Sequence, residues 1–322
     1  MRVLPLQYYL PTVKGLAANL IRRKSVYPFY ASFKLTTRCH FGCRFCNIKK
    51  DPVKDLPTAD IKEILKNLSR SSILMTSFEG GEPLLRQDIA EILSFARSCK
   101  FYLLFTTSAR NLLSYPMKEY AKFIDFLHVS IDEDHDNLEM FDILPNLASL
   151  PCQISVQTVV TKDTIDSLDK KVQICFQKGA NIVIIPATHM DKAEDCFPDL
   201  GALEKKLLYL RKLYPHTIHT PQGYFKAFRN RKCSSGSVII AADGHLYYPC
   251  HILGRKGPDL RNTDLMSWLA SPEAEEGRQL MNSCNRNCGW YQYYSIDSYT
   301  SVSSVVDALL PVLIKKKVLC TP

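Results

Sequence analysis

The stretch that decides the fold is residues 39–46, CHFGCRFC, which follows an apolar run over residues 29–35. Cys39, Cys43 and Cys46 place three thiols within eight residues. A structural zinc ion usually takes four protein ligands arranged as two pairs, whereas three cysteines can hold a 4Fe-4S cluster with one iron left open. The compact trio therefore favours a 4Fe-4S cluster, whose open iron can bind a substrate or a cofactor.

Two further motifs follow in order along the chain. A second apolar run, residues 73–78, ends in EGGEP at 79–83, and VSID occupies residues 129–132. Together with the C-x3-C-x-aromatic-C spacing of the cysteine loop, these two motifs resemble the signature motifs of the radical S-adenosylmethionine (SAM) superfamily. The alternative is a zinc knuckle followed by an unrelated glycine turn, and three ordered motifs disfavour it.

The resemblance implies an activity and a set of cofactors. In that family three cysteines, here Cys39, Cys43 and Cys46, bind three irons of a 4Fe-4S cluster, and SAM chelates the fourth. Reduction, by ferredoxin or flavodoxin, yields methionine and a 5′-deoxyadenosyl radical. The expected function is modification of an unactivated carbon in a lipid or isoprenoid, a peptide or a small molecule. The alternative from another class is a non-catalytic iron-sulfur electron-transfer or redox-binding protein.

The same resemblance assigns cofactor contacts to five residues. Phe45 matches a position that lies against the adenine of SAM. Gly80 and Gly81 would let the backbone approach the methionine moiety, because a side chain there would block it. Glu82 is placed to meet an ammonium group, and Ser130 to meet a ribose hydroxyl or the methionine carboxylate. For Ser130, a cap at the end of a strand is the alternative.

Apolar runs alternate with helical patterns from residue 29 onward, which predicts six βα units and a parallel sheet. Composition does not separate an open doubly wound sheet from a barrel. The resemblance implies a partial (β/α)6 TIM barrel over residues 29–220. In either architecture the chemistry lies at the carboxyl ends of the strands, where all three motifs fall. The predicted strands are 29–36, 73–78, 101–106, 126–131, 153–160 and 182–186, and a helix is predicted over 138–150.

A second cysteine set follows the predicted barrel, with a hairpin turn, ADGH, at residues 242–245. It resembles the twitch module of radical SAM dehydrogenases, a short form of the SPASM domain, and implies an auxiliary 4Fe-4S cluster for electron transfer in residues 221–295. A four-cysteine zinc site is the alternative. The ligands would be Cys233, Cys250, Cys284 and Cys288.

Composition restricts the class of protein. The chain has 322 residues, 46% of them hydrophobic, with no apolar run of eighteen and no secretory signal pattern, so we expect a cytoplasmic protein. Twelve cysteines in such a chain indicate metal ligation in a reducing compartment. The net charge of +9 is spread along the sequence, which argues against a nucleic acid partner.

Both ends of the chain carry an apolar pattern at helical spacing followed by cations. In region 1–28, Thr12 is a candidate N-cap, and Arg22-Arg23-Lys24 follows the stripe. In region 296–322, an apolar stripe that includes Pro311 precedes residues 315–317, KKK. Such helices usually cover a core, and the alternative is contact with a membrane surface. The stripes are Val13, Leu16, Ala17, Leu20 and Ile21, and Val302, Val305, Val306, Leu309, Leu310, Leu313 and Ile314.

Overall fold

A computed structural model describes residues 2–50, 52–188, 196–231, 233–234, 236–253, 255–286 and 288–295. The predicted C-terminal helix, in 296–322, lies outside these residues. One sheet of nine strands runs through the described chain in the order β6-β5-β4-β3-β2-β1-β7-β8-β9.

The first six strands are parallel, and each matches a predicted strand to within two residues. They are β1 (Tyr30–Lys34), β2 (Met75–Glu79), β3 (Tyr102–Thr107), β4 (Phe126–Ser130), β5 (Gln153–Val160) and β6 (Asn181–Pro186). Helices connect them, and residues from all six strands line one cavity. The predicted partial (β/α)6 barrel is confirmed.

The described helices cover the outside of the barrel and the C-terminal region. They are α1 (Leu10–Arg22), α2 (Thr58–Ser69), α3 (Ile89–Arg97), α4 (Met117–Tyr120), α5 (Leu144–Leu147), α6 (Leu168–Gln177), α7 (Leu200–Leu213), α8 (Gln222–Arg229), α9 (Leu265–Leu269), α10 (Pro272–Asn282) and α11 (Tyr291–Ser295). Four 3-10 turns are Leu6–Tyr8, Pro83–Leu85, Leu112–Ser114 and Leu138–Ile143.

The main core lies between the strands and the helices. Phe33 and Phe78 are both fully buried there, with their rings edge to face at a centroid distance of 6.4 Å. The inward residues of β6 are only half-buried, while the outward ones are buried. The helix-covered side of the sheet is therefore a packed core, and the inner side borders a cavity.

The C-terminal region extends the barrel sheet. β7 (Ser237–Ile240) pairs in parallel with β1, and β8 (His245–Tyr247) and β9 (Lys256–Asp259) continue it antiparallel. Gly244, with φ +88°, forms the predicted turn between β7 and β8. The sheet is thus continuous across the boundary predicted at residues 220 and 221.

Two local predictions are wrong. The helix predicted over 138–150 is a 3-10 turn followed by the single α-turn α5, in which Pro145 has no N–H to donate. Thr12 does not cap α1, because its hydroxyl donates to the Ser72 carbonyl at 2.9 Å. The missing N–H of Pro145 ends the first pattern, and the hydrogen bond from Thr12 to Ser72 replaces the predicted cap.

Candidate active site

The loop that carries the first three cysteines is tied to the ends of β1 and β2. The Gly81 N–H donates to the Thr36 carbonyl at 2.8 Å, and the Glu82 N–H donates to the Arg38 carbonyl at 2.7 Å. These bonds continue the β1–β2 pairing beyond Lys34 and Glu79. The cysteine loop therefore begins, at Cys39, directly beside the turn formed by Gly80 and Gly81.

Gly80 and Gly81 permit this close approach. Gly80 has φ +143°, and a Cβ there would meet the Thr36 carbonyl oxygen at 2.5 Å. A Cβ on Gly81 would lie 2.0 Å from the Arg38 carbonyl oxygen and 3.0 Å from Cys39 Cβ. In this structure the two glycines thus serve the packing of β2 against the start of the cysteine loop.

Glu82 has a structural role that the sequence did not predict. Its carboxylate is fully buried and accepts four hydrogen bonds: from the Leu84 N–H, the Thr107 hydroxyl, and the N–H and hydroxyl of Ser108. Burial raises the pKa of Glu82, and these bonds oppose the rise. These four bonds anchor Glu82 between the turn after β2 and the end of β3, and its contact with an ammonium group stays a prediction.

Ion pairs hold the cysteine loop against the turns that follow β4 and β5. The Arg44 Nε donates to Asp134 Oδ1 at 2.8 Å, and Nη1 donates to Asp163 Oδ2 at 3.1 Å. The hydrogen bonds that Arg44 donates to both carboxylates raise its pKa. Since the arginine is exposed, these pairs add little stability but orient the loop.

A hydrogen-bonded pair, Asp132 and His135, packs against the cysteine loop. Asp132 is fully buried, and its Oδ1 lies 2.8 Å from His135 Nδ1. Although burial would raise the pKa of Asp132, hydrogen bonds from His135 and Val159 lower it. The His135 ring meets the rings of Phe41 and Phe45 edge to face, at 5.4 and 6.1 Å. Phe45, the predicted adenine contact, is therefore held in place through Asp132.

Ser130, the other predicted contact on this strand, is buried at the end of β4. Its carbonyl accepts a hydrogen bond from the Asn137 amide at 2.8 Å.

The three thiols of the loop are half-buried or exposed, and none forms a disulfide. Burial raises the pKa of Cys43 to about 12, and Cys46 and Asp132 add to the rise. Burial also raises the pKa of Cys39. Such thiols stay protonated without a nearby positive charge, which a bound metal centre supplies. The donor set fits an iron-sulfur cluster held by Cys39, Cys43 and Cys46.

A cavity of about 260 Å³ lies inside the barrel, behind the cysteine loop. Polar side chains on the inner faces of β2, β4 and β5 line it, including Ser77, His128 and Gln157. Tyr291 and Gln292 of α11 form part of its wall. The segment that follows Cys288 therefore encloses the barrel interior.

Lys34 and Glu79, the last residues of β1 and β2, form an ion pair at the edge of this cavity, and Glu79 is the partner that lines it. Lys34 Nζ donates to Glu79 Oε2 at 2.6 Å, and the Ser32 hydroxyl donates to the same oxygen at 2.9 Å. Although burial alone would raise the pKa of Glu79, Lys34 and the hydroxyls lower it. Glu79 is therefore ionised at neutral pH.

The four C-terminal cysteines lie near one another. Cys233 precedes β7, Cys250 follows β8, and Cys284 and Cys288 follow α10. Burial raises the pKa of Cys233 to about 12, and each of the other three thiols adds to that rise. The structure thus brings together the residues that the sequence placed in one site.

Aromatic side chains enclose this second cysteine set. Trp290 and Tyr293 are buried beside Cys250, and Cys233 and Cys288 pack against the same cluster. The ring centroids of Trp290 and His251 are 5.0 Å apart. The Tyr293 hydroxyl accepts a hydrogen bond from the backbone N–H of His251 at 3.2 Å. Within the described ranges, no three Cys, His, Asp or Glu side chains meet the geometry for a single metal ion.

Sequence reasoning missed the residues that support and line the site. Arg44, His135 and Asp163 act through contacts distant in sequence, which no local pattern reveals. Lys34 and Glu79 could have been found, since each follows a buried Phe at the end of a strand and so must face inward.

Comparison with known families identifies the barrel. The family model described as the radical SAM superfamily matches residues 33–188. The chain carries a radical SAM domain. The match spans β1 to β6 and contains all three motifs, so the family prediction and the prediction of an enzyme are confirmed.

Curated relatives of this chain are distant in sequence. It is 24% identical over 201 residues to the mycofactocin maturase MftC of Mycolicibacterium smegmatis, covering 56% of this chain and 51% of that one. It is 32% identical over 108 residues to an S-adenosylmethionine-dependent nucleotide dehydratase of Selenomonas ruminantium, covering 32% of this chain and 39% of the relative. The chain thus spans about half of the length of the first relative and 39% of the second.

Solved structures share the fold. SuiB of Streptococcus suis bound to SAM superposes with a TM-score of 0.67 at 15% identity, covering 91% of this chain and 79% of SuiB. The enzyme anSMEcpe with bound SAM gives 0.62 at 14% identity, covering 89% of this chain and 94% of that one. SuiB has also been solved with its precursor peptide SuiA.

The glycine turn gives a direct prediction. Gly81→Ala should greatly reduce both iron content after reconstitution and SAM cleavage, because the new methyl would overlap the Arg38 carbonyl and displace Cys39. Gly42→Ala is the control, since a Cβ there meets no atom within 4 Å. Iron analysis and 5′-deoxyadenosine assays compare the two. Equal iron content and activity in both variants would contradict this role for Gly81.

Proposed function

We propose that this protein cleaves SAM reductively at a cluster held by Cys39, Cys43 and Cys46 and modifies an unactivated carbon of a substrate bound in the barrel. When bound, the cluster and SAM supply the 5′-deoxyadenosyl radical. The electron donor we propose is reduced ferredoxin or flavodoxin. The relatives include a mycofactocin maturase and a nucleotide dehydratase, and the structural neighbour SuiB binds a precursor peptide, so a peptide or a small molecule is the proposed substrate class.

The observation that carries the proposal is the position of the three thiols at the carboxyl ends of the barrel strands, whose inner faces line an open cavity. The loop lies at the carboxyl ends of β1 and β2, held by Gly81 against residue 38. In this position Phe45 and Ser130 can orient SAM, while α11 limits the access of water to the cavity behind them. An electron carrier without turnover needs no such cavity, which argues against the non-catalytic alternative.

The direct test is SAM cleavage by reconstituted protein under anaerobic reduction. Wild type should form 5′-deoxyadenosine, and the triple variant Cys39→Ala, Cys43→Ala, Cys46→Ala should form none, because no ligand remains for the cluster. The variant Cys99→Ala, which alters a buried thiol outside both sets, is the control. Reductive cleavage by the triple variant would refute the proposal.

We further propose that Cys233, Cys250, Cys284 and Cys288 hold an auxiliary 4Fe-4S cluster for electron transfer. Four thiolates leave such a cluster no open iron, so it fits electron transfer rather than substrate ligation. The shell formed by Trp290 and Tyr293 supports this, because it shields the site from water. Cys288 lies three residues before Tyr291 of the cavity wall, which supports a position of this site close to the proposed substrate.

Replacing these four cysteines by alanine should lower the iron content from roughly eight to roughly four per chain, the difference of one cluster. SAM cleavage should persist in part, because Cys39, Cys43 and Cys46 are untouched, while product formation should stop. Elemental analysis of wild type and variant checks the metal. Stoichiometric zinc with only half of the expected iron in wild type would show that the site is a zinc site.

We also propose that α1 contacts a membrane surface. The helix packs through small and polar residues: Asn19 bonds the Tyr27 carbonyl at 2.9 Å, and Gly15 leaves room for the Tyr27 ring. Its apolar side chains point outward instead. No helix among the described residues has the length and hydropathy needed to cross a bilayer. The exposed apolar residues in this region are Val3, Leu6, Leu10, Val13, Leu20 and Ile21.

Charge supports the same proposal. Residues 1–28 contain no acidic residue, and Lys14, Arg22 and Arg23 are exposed there, whereas Arg2 and Lys24 are paired with Asp125 and Glu275. Near an anionic bilayer each such cation adds roughly 1 kcal/mol of attraction. Apolar side chains beside cations are the composition that interfacial helices use.

Flotation with anionic vesicles at low salt tests this. Wild type should float, and Val13→Glu with Ile21→Glu should reduce binding at least about tenfold, since both side chains, 58% and 84% exposed, would lose burial and add negative charge. The control Leu208→Glu with Leu213→Glu makes the same charge change at exposed positions of α7. Wild type that remains at the bottom, or equal loss in the control, would argue that α1 does not bind membranes.

A further inference from the structure

The inner face of this barrel is unusually rich in polar groups for its position. The inward residues of β5 include Gln153, Ser155 and Gln157, and the first inward residue of β6 is Asn181. All four are half-buried, while their outward neighbours Val156 and Ile182 are fully buried. Closed TIM barrels fill this space with branched apolar side chains. Here the space is open, and hydrogen-bonding groups share its lining with apolar side chains.

The charges of this cavity are paired with each other. Among the described lining residues, Glu79 is the one side chain that carries a carboxylate, ammonium or guanidinium group. Lys34 neutralises it at 2.6 Å. Burial lowers the pKa of His128, which is therefore neutral at pH 7. Among these described lining residues a charged ligand group would find no carboxylate, ammonium or guanidinium group left unpaired, and its desolvation would go uncompensated. The cavity therefore suits an uncharged group.

The ion pair offers both the donor and the acceptor that a hydroxyl group needs. Lys34 has three N–H donors, and one of them is directed at Glu79 Oε2. The Glu79 Oε1 accepts from the Tyr30 hydroxyl over 3.3 Å, a long bond that an incoming donor can replace. A hydroxyl both donates and accepts, so a single one can donate to Glu79 and accept from Lys34. Aromatic rings in the lining, such as Phe126, offer an apolar surface next to these groups.

The Lys34–Glu79 ion pair is not explained by a contribution to folding stability. A buried ion pair is seldom better than apolar residues of the same size, because both charges lose their hydration. Lys34 and Glu79 are directly opposite each other in the β1–β2 register, immediately before Gly80 and the cysteine loop. Their position is thus the point where the cavity meets the proposed SAM site.

We propose that Lys34 and Glu79 bind a hydroxyl of an uncharged, polyhydroxylated group of the substrate, such as a sugar ring, with the amides and hydroxyls of the cavity holding its remaining oxygens. This inference rests on the proposed function in one respect, that the barrel cavity is the substrate site. Lys34 and Glu79 are substrate-binding residues in this account, and Ser32 positions Glu79.

The test is ligand-detected NMR titration of the full-length, anaerobically reconstituted protein with methyl α-glucopyranoside. Two further probes are glucose 6-phosphate, which adds a charge, and N-acetylglycine methylamide, which replaces hydroxyls by amides. The key variant is Lys34→Met with Glu79→Gln, which removes both charges and so avoids leaving one buried and unpaired. Lys118→Met, at an exposed position of α4, is the control for loss of a lysine.

Wild type and the Lys118→Met variant should bind the glycoside more tightly than either other probe. The double variant should bind it at least about tenfold more weakly, because charge-assisted hydrogen bonds are lost. Circular dichroism of the double variant verifies that it is folded. The inference is overturned if the double variant binds the glycoside as well as wild type, if the phosphate or amide probe binds more tightly, or if wild type shows no glycoside binding at tens of millimolar.

SAM cleavage by the same preparations separates this inference from the proposed function. Protein that cleaves SAM and does not bind the glycoside refutes the polyhydroxyl inference alone. Protein that binds the glycoside through Lys34 and Glu79 and cannot cleave SAM refutes the proposed function alone.

Discussion

The parallel pairing of β1 with β2 is the constraint on which the site depends. Its register places Lys34 opposite Glu79 and continues through the N–H of Gly81 and of Glu82 into residues 36–38. Two glycines are needed because the backbones come closer than any Cβ allows. The same register therefore starts the cysteine loop at the rim of the barrel and leaves an ion pair facing the interior.

The distribution of burial explains why this fold can host a reaction. Helices cover the outer face of the sheet and supply the apolar core, so the inner face need not be packed to stabilise the barrel. That freedom allows polar residues such as Gln157 and His128 to line a cavity. At the other edge, β7 adds to β1 and brings the second cysteine set beside the cavity wall at Tyr291.

The sequence predicted the six strands, the cysteine loop and the turn at Gly244. Each of these features depends on a local pattern: a run of apolar residues, the spacing of cysteines or the position of a glycine. It could not predict that Glu82 bonds Ser108, or that Arg44 binds Asp163, because those contacts depend on how the loops after different strands meet. The orientation of α1 was also open, since an apolar stripe normally faces the core. In this structure Thr12 and Asn19 face the protein instead, because each finds a backbone partner there.

The central claim is that the loop of Cys39, Cys43 and Cys46 holds a cluster with one iron open to SAM. Electron paramagnetic resonance of the reduced protein tests it most directly, using the variant that lacks Cys233, Cys250, Cys284 and Cys288. The account predicts one remaining 4Fe-4S signal, whose spectrum changes when SAM is added because SAM binds the open iron. A 4Fe-4S signal that SAM leaves unchanged, or the absence of any cluster signal in that variant, would contradict it.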